Sequence, residues 1–180
     1  MRNISASGPI ELRVATVAQL SHSLDPYPFR EKDLDAEAEA FVVGWARELA
    51  PDRPIRIVVH LPAGEAASER AGDVGEAFGH FFAYRAQATG RDLAELFRIG
   101  RYALAVGIAL LLACFALAHG TSAYLAGSAF APLVQESFLI LGWVANWRPL
   151  EIFLYEWWPI ARKRRLYRRL AAAQVEIASY

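Results

Sequence analysis

Tyr102 to His119 reads YALAVGIALLLACFALAH. These 18 residues include no Asp, Glu, Lys or Arg, and a helix rising 1.5 Å per residue through them covers about 27 Å, close to the hydrocarbon thickness of a bilayer. So small a chain has no core able to hide an apolar helix of this length, so the stretch is expected to cross a membrane.

The sequence after it has to return. A second apolar stretch runs from Leu133 to Trp158, longer than one crossing needs, and it contains Glu136, Arg148, Glu151 and Glu156. The expected second span is 135–155, after an outer connector at 120–134. Trp143, Trp147, Trp157 and Trp158 form an expected aromatic belt, because indole favours the boundary between lipid tails and headgroups. Pro149 either bends this helix or begins a new one. Gly107 and Gly142 are small enough to permit close packing of partner helices against the two spans.

Basic residues give the orientation. Arg98 and Arg101 precede the first span. Arg162, Lys163, Arg164, Arg165, Arg168 and Arg169 follow the second, while the connector from Gly120 to Val134 has neither Lys nor Arg. Short loops rich in Lys and Arg stay in the cytoplasm, so both chain ends are expected on that side.

Overall composition hides this segregation. The 180 residues hold 19 basic and 19 acidic side chains, for a net charge near zero. The length allows one small soluble domain plus a hairpin and excludes two full enzyme domains. Cys114 is the only cysteine, which excludes an intramolecular disulfide and a cysteine-based zinc site; it reads as a small buried or lipid-facing residue. The opening MRNISASGPIELR has no apolar core, so the first domain is expected to stay on the side where it is made.

That domain reads as strand–helix–strand. Glu11–Val17 and Ile55–Leu61 alternate like half-buried strands. Between them, Asp33 and Asp35 offer helix starts, and Ala38, Phe41, Val42, Trp45 and Leu49 share one helical face. The two prolines of LDPYPF, Leu24 to Phe29, make a rigid turn. The tail supplies a third strand, Gln174–Ala178, which can close the sheet once the second span has returned. Helical legs from sheet to membrane cannot differ as much as about 60 Å for 62–101 and about 36 Å for 149–172, so the first leg must break, with Gly64, Gly72 and Gly75 to supply the break. A stalk helix at 74–101 follows, with Phe78, Phe81, Phe82, Leu93 and Phe97 available to bury.

The expected fold is therefore an α+β membrane protein: a two-helix transmembrane hairpin, a helical stalk and a small cytoplasmic three-stranded sheet plus helix, in the order β-α-β-hairpin-β. The expected parts are 1–73 for the β-α-β region, 74–101 for the stalk, 102–119 and 135–155 for the spans, 156–172 for a basic helix and 173–180 for the last strand.

Candidate sites are few. Arg148 and Glu151 are three apart on a helix and can pair, and a symmetric hairpin would bring Glu156 near Arg101. Charges beside a span usually have a partner or a job, and snorkelling to the interface is the structural explanation. The block Arg162–Arg169 suits anionic lipid headgroups, at about 1 kcal/mol per basic residue, and lacks any groove-reading pattern for nucleic acid. His22, His60, His80 and His119 have no metal-ligand spacing, and Ser21 and Ser23 beside His22 do not make a triad. No phosphate loop, catalytic set or cofactor motif is present; Gly72-Asp-Val-Gly75 lacks the lysine and the spacing.

SLDPYPFREKDLD (23–35) and GWVANWRPLEIFLYEWWP (142–159), followed by a basic helix and a terminal VEI, resemble a family of small bacterial two-span membrane proteins with no assigned activity. The resemblance covers most of the chain. It implies a bacterial inner-membrane setting and carries no catalytic residue.

Two functions fit these residues. The first is a non-enzymatic membrane scaffold or accessory subunit, whose partners are the bilayer, other membrane subunits or further copies of itself. The alternative is a membrane-interface enzyme or a lipid- or proton-handling protein using Arg148, Glu151 and Glu156.

Overall fold

The structure, a computed structural model, describes residues 8–20, 34–50, 52–124 and 128–180, and for 122–124 the backbone alone. The LDPYPF turn, the Asp33 helix start and the Ser21–His22–Ser23 group lie outside the described residues. The described chain is mostly helical, with one three-stranded sheet, and divides into two units: residues up to Thr89 with Arg162–Tyr180, and Gly90–Ala161.

In the first unit the strands β1 (Ile10–Arg13), β2 (Arg56–Leu61) and β3 (Gln174–Ser179) lie side by side in that order, all parallel. The registers Ile10↔Ile57 and Ile57↔Val175 bring Ile10, Leu12, Ile57, Val59, Val175 and Ile177 onto one face, as period-two alternation requires. The tail does close the sheet. β1 is shorter than the expected Glu11–Val17: pairing stops after Val14 donates to the His60 carbonyl at 3.1 Å, and Val17–Leu20 turns into a single 3-10 helix whose Val17 and Leu20 enter the core.

Helix α1 (Ala36–Glu48) starts at Asp35, whose carboxylate accepts from the Glu37 amide at 3.0 Å and satisfies one of the orphan donors of the first turn. Its buried residues are Val42, Val43 and Ala46, so the inward face is rotated from the expected one; Ala38, Trp45 and Leu49 are only partly buried and Phe41 is exposed. The rotation brings Glu39 inward, where its carboxylate accepts from the Tyr167 hydroxyl at 3.0 Å and pairs with Arg85. A hydrophobic count could not anticipate an acidic residue on the inner face, because its partners lie 46 and 128 residues away.

The short helix α2 (Ala63–Ala66) is followed by the long helix α3 (Glu69–Tyr124). The break after β2 therefore falls at 62–68, a stretch that contains Gly64, whereas Gly72 and Gly75 lie inside α3. Ser68 marks it: its hydroxyl donates to the Glu65 carbonyl at 2.7 Å and accepts from the Ala71 amide at 3.3 Å. Beyond the break, Ala71, Val74, Phe78, Phe81, Phe82 and Ala86 recur at three- and four-residue spacing and are buried. With Leu166, Tyr167 and Leu170 of α6 (Trp157–Ala171) and the inner residues of α1 they form one core against the sheet. Three helical segments thus supply that core: the covering helix, the stalk with its expected Phe78, Phe81 and Phe82, and α6, which was not expected there. Burial of side chains such as Phe78 and Phe82 stabilises the unit by about 1.5–3 kcal/mol each.

The second unit contains the rest of α3, α4 (Ala131–Ala145), α5 (Trp147–Glu151), a π-helical turn at Ile152–Glu156 and the start of α6. Among the described residues one helix is long and apolar enough to cross a membrane, within Glu69–Thr121. The return segment expected at 135–155 is not one continuous helix: of the two expectations for Pro149, a bend or a new helix, a new helix starts at Trp147. It begins at Ala131 and breaks at Asn146, three residues before Pro149. Proline has no N–H for the carbonyl four residues back, that of Ala145, and its ring crowds that carbonyl, so a regular helix cannot run through. Pro159 does the same to the carbonyl of Tyr155, and the widened π turn falls just ahead of it.

Candidate functional site

The two apolar segments of the second unit pack antiparallel along a seam of small residues. A Cβ placed on Gly142 would lie 2.8 Å from Leu111 Cδ1 and 3.4 Å from Cys114 Cβ; one on Gly107 would lie 2.7 Å from Asn146 Oδ1; one on Gly100 would lie 2.9 Å from Ile152 Cγ2. Gly107 and Gly142 were expected to receive partner helices; they instead pack against the same chain. Cys114 is buried in this seam beside Gly142, and Ala118, Pro149 and Ile152 are buried as well.

Asn146 ties the seam at the helix break. Its side-chain N–H groups donate to the Gly107 carbonyl at 3.1 Å and to the Gly142 carbonyl at 3.0 Å. One amide therefore joins the two segments and also satisfies a carbonyl of its own helix, in surroundings that are otherwise apolar. The sequence reading missed it. The available signal was a lone carboxamide within an apolar stretch, since interhelical bonds of this kind recur where water is scarce.

Beside the Gly100–Ile152 end of the seam lies the charged cluster. Arg148 donates to Glu151 Oε2 at 3.0 Å and to Glu156, through Nη1 to Oε1 and through Nη2 to Oε2 at 3.3 Å. The pair three residues apart was expected. The bond to Glu156 was not, because residues eight apart on a regular helix point about 80° away from each other. The π turn inserts one extra residue, removes about 100° of rotation and returns Glu156 to the side of Arg148. Glu156 therefore pairs with Arg148 and not with Arg101, and no described carboxylate pairs with Arg101, which is exposed. One cation between two carboxylates carries one net negative charge.

The tryptophans divide. Trp143, Trp147 and Trp158 are exposed. Trp157 is partly buried, packs on Phe97 with ring centroids 6.4 Å apart, and donates from Nε1 to the Phe153 carbonyl at 2.9 Å. Phe97 also stacks on Phe153 at 6.0 Å. Of the basic block, Arg162, Lys163, Arg165 and Arg168 are exposed, while Arg164 is partly buried. Arg169 donates to the backbone carbonyls of Ala50 at 2.8 Å and Arg53 at 3.0 Å, which closes the turn after α1. Burial, followed by the bond to Glu39, holds the Tyr167 phenol above its usual pKa. Among the described residues no group of three His, Cys, Asp or Glu side chains is placed to hold a metal; His60 is partly exposed, 3.8 Å from Glu11.

No family model, curated protein or solved structure matches the chain. The arrangement is thus read from its own chemistry, and that chemistry is one of packing and charge pairing.

Proposed function

We propose that the chain is a two-span protein of the bacterial inner membrane with both ends in the cytoplasm, acting as a non-enzymatic scaffold or accessory subunit. The observation that carries this reading is the exposure of the apolar helix: only 17% of its most apolar window is buried. A soluble core helix hides such a surface, whereas here Val106, Ile108, Leu110, Leu112, Phe115 and Leu117 all face outward. Opposite them, Leu133, Ile140, Leu141, Trp143 and Val144 do the same on α4. The seam supports α4 and α5 as the second crossing, since it holds them against the first segment, and the break at Asn146 has its amide hydrogen-bonded within the chain, as a span through hydrocarbon requires.

The exposed members of the basic block, Arg162, Lys163, Arg165 and Arg168, are the contacts to anionic headgroups, while Trp143, Trp147 and Trp158 anchor the depth. Arg148 serves the same anchoring: it is held by carboxylates three and eight residues further along the chain, on the side of the expected inner interface. Both carboxylates are engaged by the same guanidinium, which favours an anchor over a proton-handling site.

Alkaline carbonate washing of membranes that contain the protein tests the location: it should stay with the lipid, and release into the supernatant refutes the reading. A reporter active only in the cytoplasm should work when fused at Met1 and at Tyr180, and an outer-compartment reporter only within 120–134. Labelling of Ser179→Cys from outside intact cells would overturn the orientation.

A further inference from the structure

Arg101 and the Arg148–Glu151–Glu156 cluster carry opposite net charges at one level of the hairpin. The level follows from the seam: Gly100 meets Ile152 and Phe153, so Arg101 and Glu151, each one residue from that contact, stand at the same height. They nevertheless do not pair. In an antiparallel helix pair, the residue after a seam position on one helix and the residue before the facing position on the other leave from opposite sides, each about 100° from the contact. One side of the hairpin thus presents a guanidinium that no described carboxylate pairs with, and the other an Arg148 already shared by two carboxylates, with one negative charge in excess. The π turn that brings Glu156 beside Arg148 concentrates that excess on a single side. Arg98 adds nothing to the balance, being paired with Glu95 at 3.3 Å.

We infer that the partner of this membrane hairpin is a second copy of the same chain, docked head to tail, with Arg101 of one copy against the Glu151 and Glu156 carboxylates of the next. The inference rests on the membrane reading above. Copies inserted in one orientation keep Arg101 and the acidic cluster at equal depth, so the charges meet without any helix sliding along the membrane normal. A two-fold dimer through either side would set like charges against each other, whereas a head-to-tail contact uses both sides of every copy and closes into a ring when the rotation allows. The near-interface position weakens solvent screening, so the pair selects its partner as well as attracting it. Ile108, one heptad after Arg101, is exposed on the same side and extends the contact into the apolar zone.

The test is a charge swap on the full-length protein, with self-association measured by native mass spectrometry and by dilution in lipid nanodiscs. Wild type should form species larger than one copy. Arg101→Glu and Glu151→Arg should each weaken self-association by at least about tenfold, the scale of a lost close charge pair. The double variant Arg101→Glu/Glu151→Arg should restore it, and so should mixing the two single variants. A monomeric wild type, single variants that associate unchanged, or a double variant that stays dissociated would overturn the inference. Carbonate extraction of the same wild-type membranes separates the two failures. Release from the membrane defeats the underlying reading, while a protein retained in the membrane yet indifferent to the swap defeats only the pairing.

Discussion

Phe82 and Phe115 stand on the same helix, 33 positions apart, and their surroundings could hardly differ more: the first is 0% exposed and the second 61%. The unit that holds Phe82 covers its apolar side chains with its own sheet and helices. The unit that holds Phe115 presents apolar side chains outward and keeps its buried contacts for a narrow seam of Gly100, Gly107, Gly142, Cys114, Ala118, Pro149 and Ile152, tied by the half-buried Asn146. The contrast separates two ways of stabilising helices. In water, burial of apolar area supplies the driving force. In the apolar surroundings proposed for the second unit that force disappears, and close approach of backbones with a few interhelical hydrogen bonds takes over.

The sharpest way to break this contrast is the matched pair of substitutions. Phe82→Ala should destabilise the first unit by about 3–5 kcal/mol, through lost burial and the cavity left behind. Phe115→Ala should change the stability of the detergent-solubilised protein by less than about 0.5 kcal/mol. Chemical denaturation followed by tryptophan fluorescence compares the two, and equal effects would erase the distinction.

Next comes the seam. Gly107→Leu forces its Cβ to within 2.7 Å of Asn146 Oδ1 and should cost about 1–3 kcal/mol, read as a lower melting temperature in mild detergent. The same change at Gly64, where a Cβ meets nothing within 4 Å, is the control and should be nearly silent.

The polar links give smaller effects and distinguish the units by pH. The Tyr167 phenol has its pKa raised in the folded state, so its contribution is fully present below the ordinary tyrosine value near 10 and is lost as pH rises through the raised value. Wild type should therefore lose stability in alkaline solution more steeply than Tyr167→Phe. At neutral pH that variant should be weaker by about 1–2 kcal/mol, because the inward-facing Glu39 loses a donor. Parallel pH profiles for the two proteins would show that the phenol has no such role. A smaller loss than that of Tyr167→Phe is expected for Asn146→Leu, at about 0.6 kcal/mol, the usual worth of an interhelical hydrogen bond among membrane helices.

Much of this was legible in the residues. The stretch from Tyr102 to His119 announced an exposed apolar helix through composition alone, and the alternation in Ile55–Leu61 and at Val175–Ile177 announced strands that could share a sheet. The Arg148–Glu151 pair followed from their spacing of three. What escaped has more than one physical cause. The inward turn of α1 depends on Glu39 finding Tyr167 and Arg85, and no local window contains those partners. Gly72 and Gly75 looked like helix breakers by propensity, yet they sit within α3, where the packing of Val74 and Phe78 outweighs the cost of about 1 kcal/mol per glycine. Ser68, a residue able to bond its own backbone in both directions, carried the break instead.

The return segment shows where the division lies. Pro149 and Pro159 determine by covalent geometry that no regular helix can run from Leu133 to the basic block, and that much is in the sequence. Where the chain yields, at Asn146 with a sharp break and at Ile152–Glu156 with a widened turn, was decided by the tertiary structure. The break settles where the Asn146 amide can reach the Gly107 carbonyl across the seam, and the wide turn settles where Glu156 can reach Arg148. A hydrogen bond between residues 39 positions apart has no local signature, because its geometry exists only once both segments have been brought together.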